Sequence, residues 1–146
     1  MGKVVKIGIS KVQGNQIIDV KEVQAIQGKG LLNDRFFKEN NHKKTQITLI
    51  EIENINYYNK ISTTKIAAIN FRRNIVTEGI ILNNLLNSEF YIGEVKVKAH
   101  DLCRPCKYLQ ESLHQTNLVK ELLQKGGLRC EILTNGKIFV GDKIEC

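Results

Sequence analysis

The chain has 146 residues, 42% of them hydrophobic and 25% charged, which suits one ordinary globular domain over residues 1–146 and leaves too little for two. A net charge of +7 admits a small anionic ligand or nucleic acid, but 6% aromatic content and the lack of a long Lys/Arg block set nucleic acid aside as the main partner. No apolar run reaches membrane-spanning length, and MGKVVKIGIS alternates where a signal peptide would run apolar, so no membrane partner, a cytoplasmic location and four reduced cysteines are expected.

In chain order, KVVKIGIS (3–10) reads as a strand, VQGNQ (12–16) as a turn and QIIDVKEVQAI (16–26) as a second extended run. The polar stretch 27–44, rich in Gly, Asn and Lys, reads as a long loop, and long loops in compact domains are often functional. QITLIEIENINYYNK (46–60) starts as a strand and becomes a short helix near Glu51 to Tyr58, and AAINFRRNIVTEG (67–79) reads as a strand ending in a turn. Residues 88–101 and 136–146 each run strand, Gly-acid, strand. Gly93-Glu94 and Gly141-Asp142 supply the positive φ of tight hairpins, so two hairpins are predicted. Between them, residues 105–127 read as one helix, with Leu109 and Leu113, then Leu118 and Leu122, at i, i+4 spacing and Gly126-Gly127 as the stop. The predicted fold is mainly β, a closed or nearly closed antiparallel barrel with two or three short helices.

The densest chemistry is DLCRPCKYL (101–109). A thioredoxin-like dithiol expects a βαβ setting, and the one proline of the chain, Pro105, sits inside the motif itself. A structural zinc site expects a second close pair of ligands. Cys130 and Cys146 are far apart in sequence, and His42, His100 and His114 are scattered. The third reading is a single working thiol. Pro105 suits the first helical position, which puts Cys106 in the first turn, where the helix dipole, Arg104 and Lys107 favour thiolate. A thiolate ligates a metal or carries a persulfide sulfur. Cys130, on the apolar strand LRCEIL, is expected to be packed in the core.

Several segments together resemble the MOSC domain, the module found at the C-terminus of molybdenum cofactor sulfurases and as small stand-alone proteins. NDRFF (33–37) sits where that family often has Gly-Asp-Arg-His; QITLIE, FRRNIVTEGIILNNLL, YIGEVKVKAHDLCRPCKYL and GGLRCEILTNGKIFVGDKIE follow in the family's order. The resemblance spans nearly the whole chain. It implies a β-barrel-rich fold and a cysteine, matched here by Cys106, that acts as molybdenum ligand or persulfide carrier, with Cys103 as a resolving thiol or a packing residue. It further implies contacts to the molybdenum cofactor (molybdopterin) from Arg72, Arg73 and Asn74, which match the Arg-x-Asn motif, and from Asp34 and Arg35. Arg104, beside the cysteines, joins them as a cofactor-binding residue. Phe36 stands where the family often has histidine, so this chain offers no imidazole at that position. The implied activity is either reduction of N-hydroxylated compounds at molybdenum, with electrons from a separate donor protein, or sulfur carriage without redox catalysis. The implied partners are cofactor-biosynthetic proteins, an electron-donor protein or a cysteine desulfurase, and pyridoxal phosphate would reside only on that last partner.

Overall fold

Strand β1 (Gly2–Ile9) starts the sheet, and a bulge at Val5 lets Val4 and Ile7, three residues apart, both turn into the core. The structure, a computed structural model, describes residues 2–146. Ten more strands follow: β2 (Ile18–Val20), β3 (Glu22–Ile26), β4 (Gly30–Leu31), β5 (Ile47–Glu51), β6 (Ile75–Glu78), β7 (Glu89–Ile92), β8 (Val95–Leu102), β9 (Leu128–Ile132), β10 (Gly136–Phe139) and β11 (Lys143–Glu145). Seven of them, in the order β11-β7-β8-β9-β5-β6-β1, form a barrel that the β1–β11 pairing closes. Strand β2 hangs on the outside of β1, and β10-β3-β4 make a separate small sheet. Closure removes the free edges that an open sheet would leave to pair with other chains. No helix among the described residues is long and apolar enough to cross a membrane.

The barrel interior is filled by inward residues of alternating strands, among them Ile7, Leu49, Phe90, Val97 and Ile132, each at most 1% exposed. Burying such a side chain contributes roughly 1.5–3 kcal/mol. All five residues of β5 are buried because both of its faces are covered. Ile47 and Leu49 point into the barrel, while Ile50 points outward beneath α1 (Ile52–Ser62), where Ile55, Tyr58, Phe71 and Val76 form a second core. Helix α1 is also the crossover that parallel pairing of β5 and β6 requires.

Three predicted elements differ. Residues 67–79 are not one strand: Ala68–Phe71 form a 3-10 turn, Arg72 caps it in the left-handed region (φ 65°), and β6 begins only at Ile75. The Gly93-Glu94 turn does join a hairpin, β7–β8, but β10 pairs with β3 while β11 pairs with β7 and β1. Gly141-Asp142 therefore carries the chain from the small sheet to the barrel, tied by the Val4 amide to the Asp142 carbonyl (2.8 Å). The helix over 105–127 is two short ones, α2 (Lys107–Ser112) and α3 (Leu118–Glu121). His114 is left-handed (φ 56°), and the side chain of Gln110 accepts the Val119 amide at 2.9 Å, which starts α3 in a new direction. Leu109, Leu118 and Leu122 are buried and Leu113 is half-buried, so the pattern identified the apolar face while the polar Gln115–Asn117 segment broke the continuity. Gly126 and Gly127 are not the stop of a helix. A Cβ on Gly126 would collide with the Cys103 carbonyl oxygen, and one on Gly127 (φ 101°) with that of Leu49.

Candidate functional site

Loops at one side of the barrel surround a cleft of about 470 Å³, within the range of small-molecule sites. The β1–β2 loop supplies Gln13 and Gly14, β5 supplies Thr48, and the segment before α2 supplies Cys103, Arg104 and Cys106. Five arginines line it, Arg35, Arg72, Arg73, Arg104 and Arg129, and among the described residues no carboxylate does.

Those guanidiniums are held in different ways. Arg35 pairs with buried Asp34 (Nη1 to Oδ1, 3.1 Å) and donates through Nη2 to the Arg72 carbonyl at 3.1 Å. Its plane lies 4.5 Å above the Phe36 ring. Burial makes Arg35 a weaker base than usual, the Asp34 charge opposes this, and Arg72 and Arg73 add to the lowering. Arg104 binds Asp101 at 3.0 Å, and that hydrogen bond is the main reason the Asp101 carboxyl is held below the usual carboxylate range. Among the described residues, Arg72, Arg73 and Arg129 have no carboxylate partner. Arg72 reaches the Asn15 carbonyl (3.0 Å), Arg129 the Lys44 carbonyl (3.3 Å), and Arg73 the carbonyls of Gly126 (3.0 Å), Phe71 (3.3 Å) and Arg104 (3.4 Å). Three positive charges around the cleft are therefore uncompensated, a field that favours an anion.

Cys106 is exposed and is the N-cap residue of α2, not a residue of its first turn. Its backbone is extended (φ −117°, ψ 159°), and its sulfur accepts the Leu109 amide at 3.4 Å. Lys107, rather than Pro105, is the first helical residue, because Pro105 lies before the cap in the loop that follows β8. Cys103 is 4% exposed and also borders the cleft. Cys130 is fully buried on β9, and burial, with Cys103 nearby, pushes its thiol far up. Exposed Cys146 lies outside the cleft.

Residues 34–145 match the MOSC domain family. The chain belongs to that family. No curated protein matches it in sequence. Among solved structures, the YuaD protein of Bacillus subtilis superposes with a TM-score of 0.79 at 18% identity, covering 99% of this chain and 95% of that one. YiiM from Geobacillus stearothermophilus gives 0.80 at 18%, covering 99% and 74%. YiiM from Escherichia coli gives 0.69 at 18%, covering 97% and 69%. At this identity the likeness is one of fold.

Of the residues singled out in the sequence, this MOSC domain brings Arg35, Arg72, Arg73, Arg104, Cys103 and Cys106 to one cleft. Two others are turned inward. Asn74 is 1% exposed: its Oδ1 accepts the Thr48 amide (3.1 Å) and hydroxyl (3.2 Å), and its Nδ2 donates to the Gly8 carbonyl (3.2 Å). Its side-chain amide thus ties β1 to β5 inside the barrel wall. Asp34 is likewise buried, and it accepts the Ser10 amide (3.1 Å) and the Arg35 guanidinium. Among the described residues no three His, Cys, Asp or Glu side chains come together to hold a metal ion.

Sequence reasoning missed Arg129, Thr48 and Tyr108. Arg129 was legible: Leu128, Cys130 and Ile132 are buried, so strand alternation turns Arg129 to the other face, directly across from Thr48. Nothing local to Thr48 or Tyr108 signals the cleft.

Proposed function

We propose that this MOSC domain binds the molybdenum cofactor in the arginine-lined cleft, with the Cys106 thiolate as the protein's ligand to molybdenum. The observation that carries the reading is the pairing of one exposed thiol with three uncompensated guanidiniums on a single cleft. A metal held by side chains alone needs three or four ligands. A metal that arrives on an organic group bearing its own sulfur donors and a phosphate needs one thiolate and cations for the phosphate, and that is the donor set present. When bound, the group supplies two-electron redox chemistry, suited to reducing N-hydroxylated compounds with electrons from a separate donor protein.

The residues divide the remaining work. Arg72 and Arg129 hold the phosphate end, their forked donors matching its oxygens. Asp34 fixes Arg35, which stacks on Phe36 and carries the Arg72 backbone. Tyr108, 58% exposed beside Cys106, flanks the mouth.

Exposure of Cys106 at the surface favours a second reading, a sulfur carrier. In that case sulfane sulfur passes from a partner desulfurase's persulfide to the Cys106 thiolate and leaves the partner as a thiolate; pyridoxal phosphate stays on that partner. Expression in a host that makes the cofactor separates the two. Stoichiometric molybdenum and pterin, lost in Cys106→Ser, support ligation. Persulfide on Cys106 without molybdenum supports the carrier. Neither, with tightly held zinc instead, overturns both.

A further inference from the structure

We infer that Arg73 is a positioning residue: its guanidinium clips the cysteine segment to the barrel and so holds the Cys106 thiol at the cleft. The inference rests on Cys106 being the working thiol, but not on which of the two activities it serves. Arg73 gives Nε to the Gly126 carbonyl, Nη1 to that of Phe71 and Nη2 to that of Arg104. Those three carbonyls belong to three segments: the turn before β9, the 3-10 turn before β6, and the loop between Cys103 and Cys106. The same segments meet backbone to backbone. The Cys103 amide donates to the Gly127 carbonyl at 2.7 Å, and Gly126 leaves no room for a Cβ beside the Cys103 carbonyl oxygen. Among the described residues, no side chain other than Arg73 hydrogen-bonds the loop between the two cysteines from outside residues 101–106. Three of its five N–H groups are thus used on the protein, while Arg72 and Arg129, with one bond each, keep most of theirs for a ligand.

A lysine keeps the charge of Arg73 but offers one compact donor group in place of a planar fork, so it cannot bridge three carbonyls in three directions. The decisive measurement compares alkylation of Cys106 by iodoacetate, which is anionic, with alkylation by neutral iodoacetamide, mapped by peptide mass. The ratio of the two rates cancels the thiol's own ionisation and reads how close the sulfur sits to the cleft's positive field. Cys146, exposed outside the cleft, is the internal reference. In Arg73→Lys the ratio at Cys106 falls by about tenfold, the low end of electrostatic steering, and the ratio at Cys146 stays put. An unchanged ratio at Cys106 overturns the inference, because charge alone then accounts for Arg73. Should that variant not fold, Arg73→Gln is read against Arg129→Gln, which removes an equal charge but no bond to the cysteine loop. Positioning requires the larger loss in the Arg73 variant; equal losses, or failure of both Arg73 variants to fold, overturn it. Neither reagent involves molybdenum, so a missing cofactor and a missing clip give separate results.

Discussion

Asn74 offers the sharpest separation between a ligand contact and a structural latch. Asn74→Ala strands two buried main-chain groups, the Thr48 N–H and the Gly8 carbonyl, and removes the acceptor of the Thr48 hydroxyl. An unsatisfied buried group costs about 1–3 kcal/mol, so the variant loses about 3–4 kcal/mol of stability. For a chain of this length that lowers Tm by about 10 °C. Urea unfolding gives the free energy directly, provided the slope is unchanged. The Thr48 hydroxyl accepts the Asn74 amide at 3.0 Å as well as donating to the side chain, so Thr48→Val and Asn74→Ala must be non-additive by about 1 kcal/mol or more. A loss below about 1 kcal/mol, with molybdenum binding abolished, would refute the latch and return Asn74 to the cofactor.

Other outcomes follow from the same geometry. Gly127→Ala, at φ 101° and against the Leu49 carbonyl, does not reach the native fold, which soluble yield and circular dichroism report. Native alkylation modifies Cys106 and Cys146 first, Cys103 slowly, and Cys130 only on unfolding; early labelling of Cys130 would contradict the closed barrel. Burial raises the Glu51 carboxyl above its ordinary value, with Glu53 adding to the shift. The folded state therefore holds that proton more firmly than the unfolded one, and the Glu51 contribution weakens stability as pH rises from below about 4.5. The stability of Glu51→Gln relative to the unmodified protein is accordingly more favourable at pH 7 than at pH 4, and a reversed trend in paired urea titrations would count against the burial argument. Arg129→Gln weakens inorganic pyrophosphate binding, measured by calorimetry, and makes it less sensitive to salt.

Local patterns revealed more of the strands than of their partners. Gly93-Glu94 and Gly141-Asp142 carry the same turn chemistry, yet one joins neighbours and the other changes sheets, because pairing is decided by strands far away in sequence. The leucine spacing after Cys106 marked the right buried residues, but two side-chain captures of backbone and hydroxyl, by Gln110 and Gln115, broke the helix. In the cleft, residue type was legible and direction was not. Arg72, Arg73 and Asn74 are consecutive, and a left-handed residue at the first sends the three side chains to a loop carbonyl, to a three-segment clip and to the barrel wall. No periodicity encodes that division.

The barrel seam joins strands from the two ends of the described residues. Gly2 and Lys3 lie opposite Ile144 and Lys143, so the cylinder is complete only when β1 and β11 have met. Without β11, β1 and β7 each present a bare edge, and pairing strands so far apart in sequence carries a large loop-closure entropy. Slow closure and edge-to-edge association at high concentration are the expected kinetic consequences, which refolding followed at several concentrations checks. The same adjacency suits circular permutation: a short link from Glu145 to Gly2, with the chain opened at the exposed turn at Gly14, would turn a long-range pairing into a local hairpin.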